Sequence, residues 1–436
     1  MIPFIFKKKD SNDPAVMRGY ELTYSYAMRL GGLYPDFRGF RYYIFGFHLN
    51  CIHVAYLWFI LAYIISAYYG FVYNDMELVS YNICYGLLTI IFFLVGHSVM
   101  YKRNHLDRLF ETVGKGFFTY EKPLDADEQA IVDECDMKCK KTAKRNILLT
   151  MVLTTWTCVV PPLPKALKGE YSSVVAGGVP INKHLPLPVW SPYPIDTPLT
   201  YWSMYALEFT AGITEAFIIA TTCTLFCNLC TIVSRELKLL RLALRRTRSR
   251  ANYTFKMRGY SYLAGSNYAK YKLFQQCMVH CIEECIKHHI ALKKFQEEFQ
   301  GFMGFPIFAI FSGTALTISS PMFMLLTMTE AEDSFLVLMK ILQYSSIIFS
   351  FTCFLSSYCL FGQMITNESS LVHFAFYETP WIDGDLDFRR KVIMGMIHSR
   401  KPFILTAKGL AAASSETLVD ISKTIFSCFN LLAATQ

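Results

Sequence analysis

Apolar runs of about 20 residues, the length needed to cross the hydrocarbon of a bilayer, recur along this chain. Seven of them lie near 42–69, 77–101, 145–163, 200–232, 301–328, 335–362 and 413–434. The third is short and stops at Pro161-Pro162. The fifth is interrupted by Gly301, Gly304, Pro306 and the Ser319-Ser320-Pro321 step, tolerable only where neighbouring helices satisfy the freed backbone groups. Between the fourth and fifth runs, 233–300 keeps a helical pattern: it continues through Glu236 to Arg246, breaks near Gly265 and resumes from Tyr268. Helices projecting that far from a membrane need partners to bury their apolar faces. The Pro- and Gly-rich 164–199 stretch predicts an irregular cap. The expected fold class is all-α, a seven-transmembrane helix bundle with a helical extension outside the membrane.

The last run differs from the other six. At about 100° per residue, Glu416, Asp420, Lys423, Thr424, Ser427, Asn430 and Leu431 fall on one side, and Leu418, Ile421, Ile425, Cys428, Phe429 and Leu432 on the other. Ionisable groups facing lipid cost several kcal/mol each, so the wet stripe must face protein or water. A pore-lining helix is the first reading, and a buried helix–helix contact is its rival.

Composition agrees with a membrane protein: 53% of residues are hydrophobic and 17% charged, against about 25% charged in soluble domains, and mean hydropathy is +0.29. The start, Met1 to Asp10, has no apolar run long enough for a secretory signal. A net charge of +8 is weak grounds for nucleic acid and fits basic cytoplasmic loops better. Seven Lys or Arg lie in the first 41 residues, ten in 102–145 and fourteen in 233–300, against none in 70–76, three in 164–199 and none in 329–334. The positive-inside rule then places the N-terminus in the cytoplasm and the C-terminus outside. That is the reverse of a G-protein-coupled receptor, and no Asp-Arg-Tyr follows the third span. The organisation expected is a cytoplasmic segment at 1–41, six spans over 42–362 with the 233–300 extension, a cytoplasmic anchor segment at 363–412 and the striped helix at 413–436.

Several constellations invite chemistry. Cys277, Cys281 and Cys285 are spaced i, i+4, i+8 beside His280, His288 and His289. One straight helix cannot wrap a tetrahedral Zn²⁺, so a packed helix stripe is favoured and no metal or cofactor is expected. The fourteen cysteines lie in spans or basic connections and none in the outer loops, so free, mostly buried thiols are expected. His48, Asn50, His53 and His97 sit at membrane depth, as functional groups or inter-helix hydrogen bonders. Glu208 and Glu215, at i and i+7, share a face of span four, either in a ligand pocket or ion path or simply turned into the bundle. No nucleophile–base arrangement, Walker loop or HExxH occurs, so no enzyme is expected. The glycosylation triplets at Asn252 and Asn367 fall in segments assigned to the cytoplasm.

Aromatic density is high, with 36 Phe and 27 Tyr. At the outer ends of spans two, three, four and six lie Tyr81, Tyr85, Thr155, Trp156, Met204, Tyr205, Phe209, Ile213 and Tyr344. A cavity lined by such side chains would hold small apolar molecules by shape and burial. The competing reading is an ordinary interfacial belt and core.

From about Ser357 onward the chain resembles the insect odorant receptor family. The marks are the Tyr358-Cys359 to Gly362 run leaving span six, Trp381 ending a cytoplasmic segment, and the basic stretch closing on Lys401-Pro402. They continue with Ala407-Lys408-Gly409, Thr417 before the last span and Ser427-Cys428-Phe429 near its outer end. Leu418 and Cys428 depart from the aromatics usual there, and Asn430 is more polar than is common. The resemblance implies a ligand-gated cation channel in which four subunits place their seventh helices around one pore. It implies a hydrophobic gate at Leu431, a second constriction at Thr435, and an odorant pocket in the outer half between spans two, three, four and six, with Trp156 matching a pocket tryptophan. The tail does not resemble that of the family's obligate co-receptor, which also carries a longer cytoplasmic insert. The expectation is therefore an odorant-specific subunit of the plasma membrane, in sensory dendrites, that assembles with the co-receptor into a heterotetramer and binds a small volatile odorant. A gustatory receptor channel of the same superfamily and a non-channel membrane transporter are the alternatives.

Overall fold

The computed structural model describes residues 13–26, 28, 33, 40–159, 169, 171, 179–262, 266–326 and 334–434, with side chains not described at 40–50, 52, 159 and 334–336. Eleven α-helices are described: α1 (Pro14–Leu22), α2 (Phe40–Val72), α3 (Met76–Tyr101), α4 (Arg103–Lys115), α5 (Ala126–Thr154), α6 (Pro198–Arg245), α7 (Thr247–Met257), α8 (Asn267–Leu326), α9 (Ser334–Tyr377), α10 (Leu386–Ser399) and α11 (Ser415–Ala433). No strand occurs among the described residues, which hold only isolated bridges at Ile181–Trp190 and Thr406–Ala412.

Five described helices contain segments long and apolar enough to cross a membrane: α2, α3, α6, α8 and α9. The third expected span is the end of α5, which starts far earlier, at Ala126, and passes into a π-helical turn at Thr155–Val159. Its predicted end, 160–163, lies outside the described residues. The expected spans four, five and six are the apolar parts of much longer helices, α6, α8 and α9. Each carries its polar continuation past the apolar run, and α8 does so through Gly301, Gly304 and Pro306 without ending. The predicted break near Gly265 falls at residues 263–265, outside those described, but an earlier reorientation occurs at Arg246, where α6 passes into α7.

Away from the apolar layer, α6, α8 and α9 are held together by packing and ion pairs. Tyr358 lies 4.7 Å from Phe226 between ring centroids, and Phe226 lies 5.8 Å from Phe299. Arg241 reaches Glu368 at 2.5 Å and Arg245 reaches Glu378 at 2.6 Å, tying α6 to α9. The Arg250 guanidinium, buried on α7, meets Glu284 of α8 at 2.5 Å and lies 4.1 Å over the Tyr120 ring. Removing one partner of such a buried pair leaves an uncompensated charge. Cys277, Cys281 and Cys285 form the expected buried stripe on α8, and no metal-competent group of His, Cys, Asp and Glu is found among the described residues. All fourteen thiols are free.

At the N-terminus α1 crosses α4 at two glycines. A Cβ on Gly19 would fall 1.9 Å from the Phe110 carbonyl oxygen, and one on Gly114 1.8 Å from that of Ala15. The backbones touch, and Val16, Tyr20, Leu106, Leu109 and Phe110 are buried around the crossing. His53, Phe93 and His97 form a ring cluster with centroids 5.8–6.1 Å apart between α2 and α3. The His48 and Asn50 side chains lie outside those described.

Candidate functional site

Two features stand out, the outer end of the bundle and α11. The first is the end of the bundle that the charge rule places outside. There residues 179–197 fold over the helices as a cap, with Ile181, Leu185, Leu187, Val189 and Ile195 buried beneath it. The cap backbone is fixed by side chains from three helices. On α3, the Tyr81 hydroxyl donates to the Pro186 carbonyl at 2.5 Å and the Asn82 amide to that of Pro188 at 3.3 Å. On α6, the Glu208 carboxylate accepts the Leu187 N–H at 3.0 Å and the Tyr201 hydroxyl donates to the His184 carbonyl at 3.1 Å. On α2, the Ser66 oxygen accepts the Trp190 N–H at 2.6 Å while donating to the Ala62 carbonyl. Loops lack ladder partners for their backbone groups, and here the helices supply them.

Beneath the cap the structure brings part of the expected pocket set together. Tyr81 and Tyr85 stack at 4.4 Å, and the Gln343 amide on α9 reaches both hydroxyls, at 3.4 and 3.3 Å, next to buried Tyr344. Met204 is buried, its sulfur 3.9 Å from the Tyr193 hydroxyl of the cap. Tyr205 and Phe209 stack at 6.2 Å on α6. Trp156 is half-buried in the π-helical turn, and Ile213 is half-buried on α6. Thr155 is exposed and spends its hydroxyl on the Met151 carbonyl of its own helix. Gln343 was missed from sequence, although a lone amide within an apolar span is itself a signal. The cap's role was missed too, because nothing local announces which carbonyl a tyrosine will find.

The second feature is α11. Ser414 caps it, accepting the Thr417 N–H at 3.2 Å. The segment before it is a tight hairpin: Ala407 and Ala411 pair at 2.8 Å, Ala413 donates to the Leu405 carbonyl at 2.8 Å, and Lys408 and Gly409 take positive φ of 50° and 83°. The Gln300 side chain mimics a strand against Thr406, accepting its N–H at 2.7 Å and donating to its carbonyl at 2.8 Å. Leu418, Ile421, Ile425 and Leu432 pack against the core formed with α8 and α9. Glu416, Asp420, Lys423, Thr424, Ser427, Asn430 and Leu431 are all exposed, and no α11 side chain is fully buried. The wet stripe therefore points away from the rest of its own chain, which removes the reading in which it is buried within this subunit. Thr435 lies outside the described residues.

Comparisons with known proteins agree with this architecture. The 7tm Odorant receptor family model matches residues 75–426. Odorant receptor 2a of Drosophila melanogaster is 24% identical over 149 residues, which are 34% of this chain and 36% of that protein, so the chain spans about a third of that relative's length. Among solved structures, the insect olfactory receptor OR5 from Machilis hrabei in complex with eugenol superposes with a TM-score of 0.76 at 12% identity, covering 97% of this chain and 100% of that one. A second structure of the same receptor gives 0.74 at 13% identity, over 96% and 99%. The superposition shows the fold alone, while the family match carries identity: a multi-pass membrane receptor rather than an enzyme, this chain belongs to the 7tm odorant receptor family.

Proposed function

We propose that the chain is the odorant-binding subunit of a heteromeric ligand-gated cation channel in the plasma membrane of olfactory neurons, assembled with the family's co-receptor as a heterotetramer. Its α11 lines the pore, with Leu431 as hydrophobic gate and Thr435 as a second constriction. A small volatile ligand binds under the cap, among Tyr81, Tyr85, Trp156, Met204, Tyr205, Phe209, Ile213 and Tyr344. The observation that carries the reading is the exposure of the whole α11 stripe. A helix of 19 residues is about 28 Å long, enough for the hydrocarbon layer, and its polar face is exposed among the described residues.

The steps follow from that arrangement. Ligand binds the rearranged bundle better than the resting one and shifts the equilibrium. α11 moves through its packing on α8 and α9, and Leu431 leaves a dewetted constriction. Glu416 and Asp420 near the inner mouth favour cations, while Lys423, 3.3 Å from Asp420, opposes them. The 363–412 segment, with α10, serves as the cytoplasmic anchor between subunits, and 1–41 lies on the cytoplasmic side. Whole-cell recording across an odorant panel, with and without the co-receptor, tests the reading. Ligand-evoked cation current only when both are present is the expected result; solute uptake with no current refutes it and restores the transporter alternative.

A further inference from the structure

Glu208 and Glu215 are two helical turns apart on α6, so they share one face about 10 Å apart. Between them, at Gly212, a Cβ would come within 2.9 Å of the Cys158 sulfur, so α6 lies hard against the π-helical turn at this point. Glu208 is fully buried. Its Oε2 accepts the Leu187 N–H from the cap, and its Oε1 has no hydrogen-bond partner. Glu215 accepts the Thr89 hydroxyl at 2.8 Å on Oε1, and no described residue donates to Oε2. Tyr63, Cys158 and Tyr205 stand around Glu208 within electrostatic reach.

No described Lys, Arg or His forms an ion pair with either carboxyl. The nearby outer cations are engaged at the rim, Lys183 with Asp75 at 2.5 Å and Lys340 with Glu77 at 2.9 Å. An ionised carboxylate held in an apolar bundle without a counter-ion is unfavourable, and a cation brought by a ligand lets the group ionise and pairs with it. A hydroxyl supplies one donor and no charge. A primary ammonium supplies three donors and the missing charge.

We propose that Glu208 and Glu215 form an amine-recognition site under the cap, and that the ligand class is a small organic amine, protonated at neutral pH, with a compact apolar body. The inference rests on the outer-pocket reading and adds the chemistry that selects within it. The test uses the full chain in lipid nanodiscs at pH 7.4, with 2-phenylethylamine and its neutral counterpart 2-phenylethanol as probes and displacement of labelled probe as readout. The amine binds at least about tenfold more tightly, the scale of one desolvated charge contact. That preference collapses in Glu208→Gln and shrinks in Glu215→Gln. Equal binding of the two probes by the unaltered chain overturns the site without needing any variant, as does an amine preference that survives both substitutions. Recording with the co-receptor separates this from the channel reading. Currents evoked by neutral odorants beside equal binding of the probes refute the amine site and leave the channel. An amine preference without current under any ligand leaves the site and refutes the channel.

Discussion

Gly362 on α9 offers the sharpest test of how the last helix is held. A Cβ built there would lie 2.4 Å from the Ala413 carbonyl oxygen and 2.5 Å from the Ala413 Cβ. Ordinary contact begins near 3.4 Å, so the chain at Ala413 must retreat by roughly 1 Å, a displacement set against close packing. Ala413 cannot swing aside alone. Its N–H is committed to the Leu405 carbonyl, Ser414 caps α11, and the Gln363 side chain accepts the Ser415 N–H at 3.3 Å. Gly362→Ala therefore moves the base of α11 or strains α9, at about 1–3 kcal/mol, with Gly362→Val worse. In purified protein the melting temperature falls by a few degrees for Ala and further for Val. In cells that also express the proposed partner subunit, odorant-evoked current falls more than surface expression does if α11 lines the pore as proposed, because the displaced segment supports that helix. A Gly362→Ala chain with unchanged melting temperature and unchanged current would refute the close approach and the coupling built on it.

Leu431 is 70% exposed, so Leu431→Ser changes the stability of the chain by no more than about 0.5 kcal/mol while raising ligand-independent current; a tight resting state in that variant argues against a hydrophobic gate. Asp420→Lys reverses a charge on the wet stripe and lowers cation over anion permeability, read from reversal potentials in asymmetric salt; an unchanged ratio removes Asp420 from the conduction path. Ser66→Ala leaves the Trp190 N–H unpartnered, costing about 1–3 kcal/mol locally; limited proteolysis within 179–197 becomes faster, and an unaltered rate shows the cap is held by its other anchors. Burial pushes the His289 imidazole down from 6.5 to about 4, with Lys293 acting in the same direction. Below pH 6.5 the unfolded chain binds the proton that the folded chain refuses. Stability is therefore full above pH 6.5 and declines by about 3 kcal/mol as pH falls toward 4. His289→Phe, which keeps an aromatic against Phe403 (5.6 Å away), flattens that part of the thermal-shift profile.

The motifs that marked the family acquire physical reasons in three dimensions. Gly362 is required by the passage of Ala413 against α9, and Gly409 by a positive φ in the hairpin that turns the chain into α11. Both were visible as letters, but neither requirement was, since each depends on a segment that the local pattern does not place. Tyr81, Tyr85 and Tyr344 were legible as aromatics at one end of two spans. That Gln343 joins them, while Thr155 turns to its own helix, depends on the rotation of α9 and on the π-helical turn ending α5. A shift of one residue in a helix swings a side chain by about 100°, beyond what hydropathy can resolve.

By itself the sequence determined the helical class, the positions of the apolar runs and the wet face of α11, because these follow from hydrocarbon thickness and the 3.6-residue repeat, which act on neighbours in the chain. Only the tertiary structure decided which side chains close the outer end. The cap finds its partners on α2, α3 and α6, separated from it in sequence by as many as 124 residues in the Ser66–Trp190 contact. It also decided that Glu208 and Glu215 stay without an ion pair among the described residues. A carboxyl group's cost in the bundle depends on which cations the fold brings within reach, and that distance is a property of packing alone.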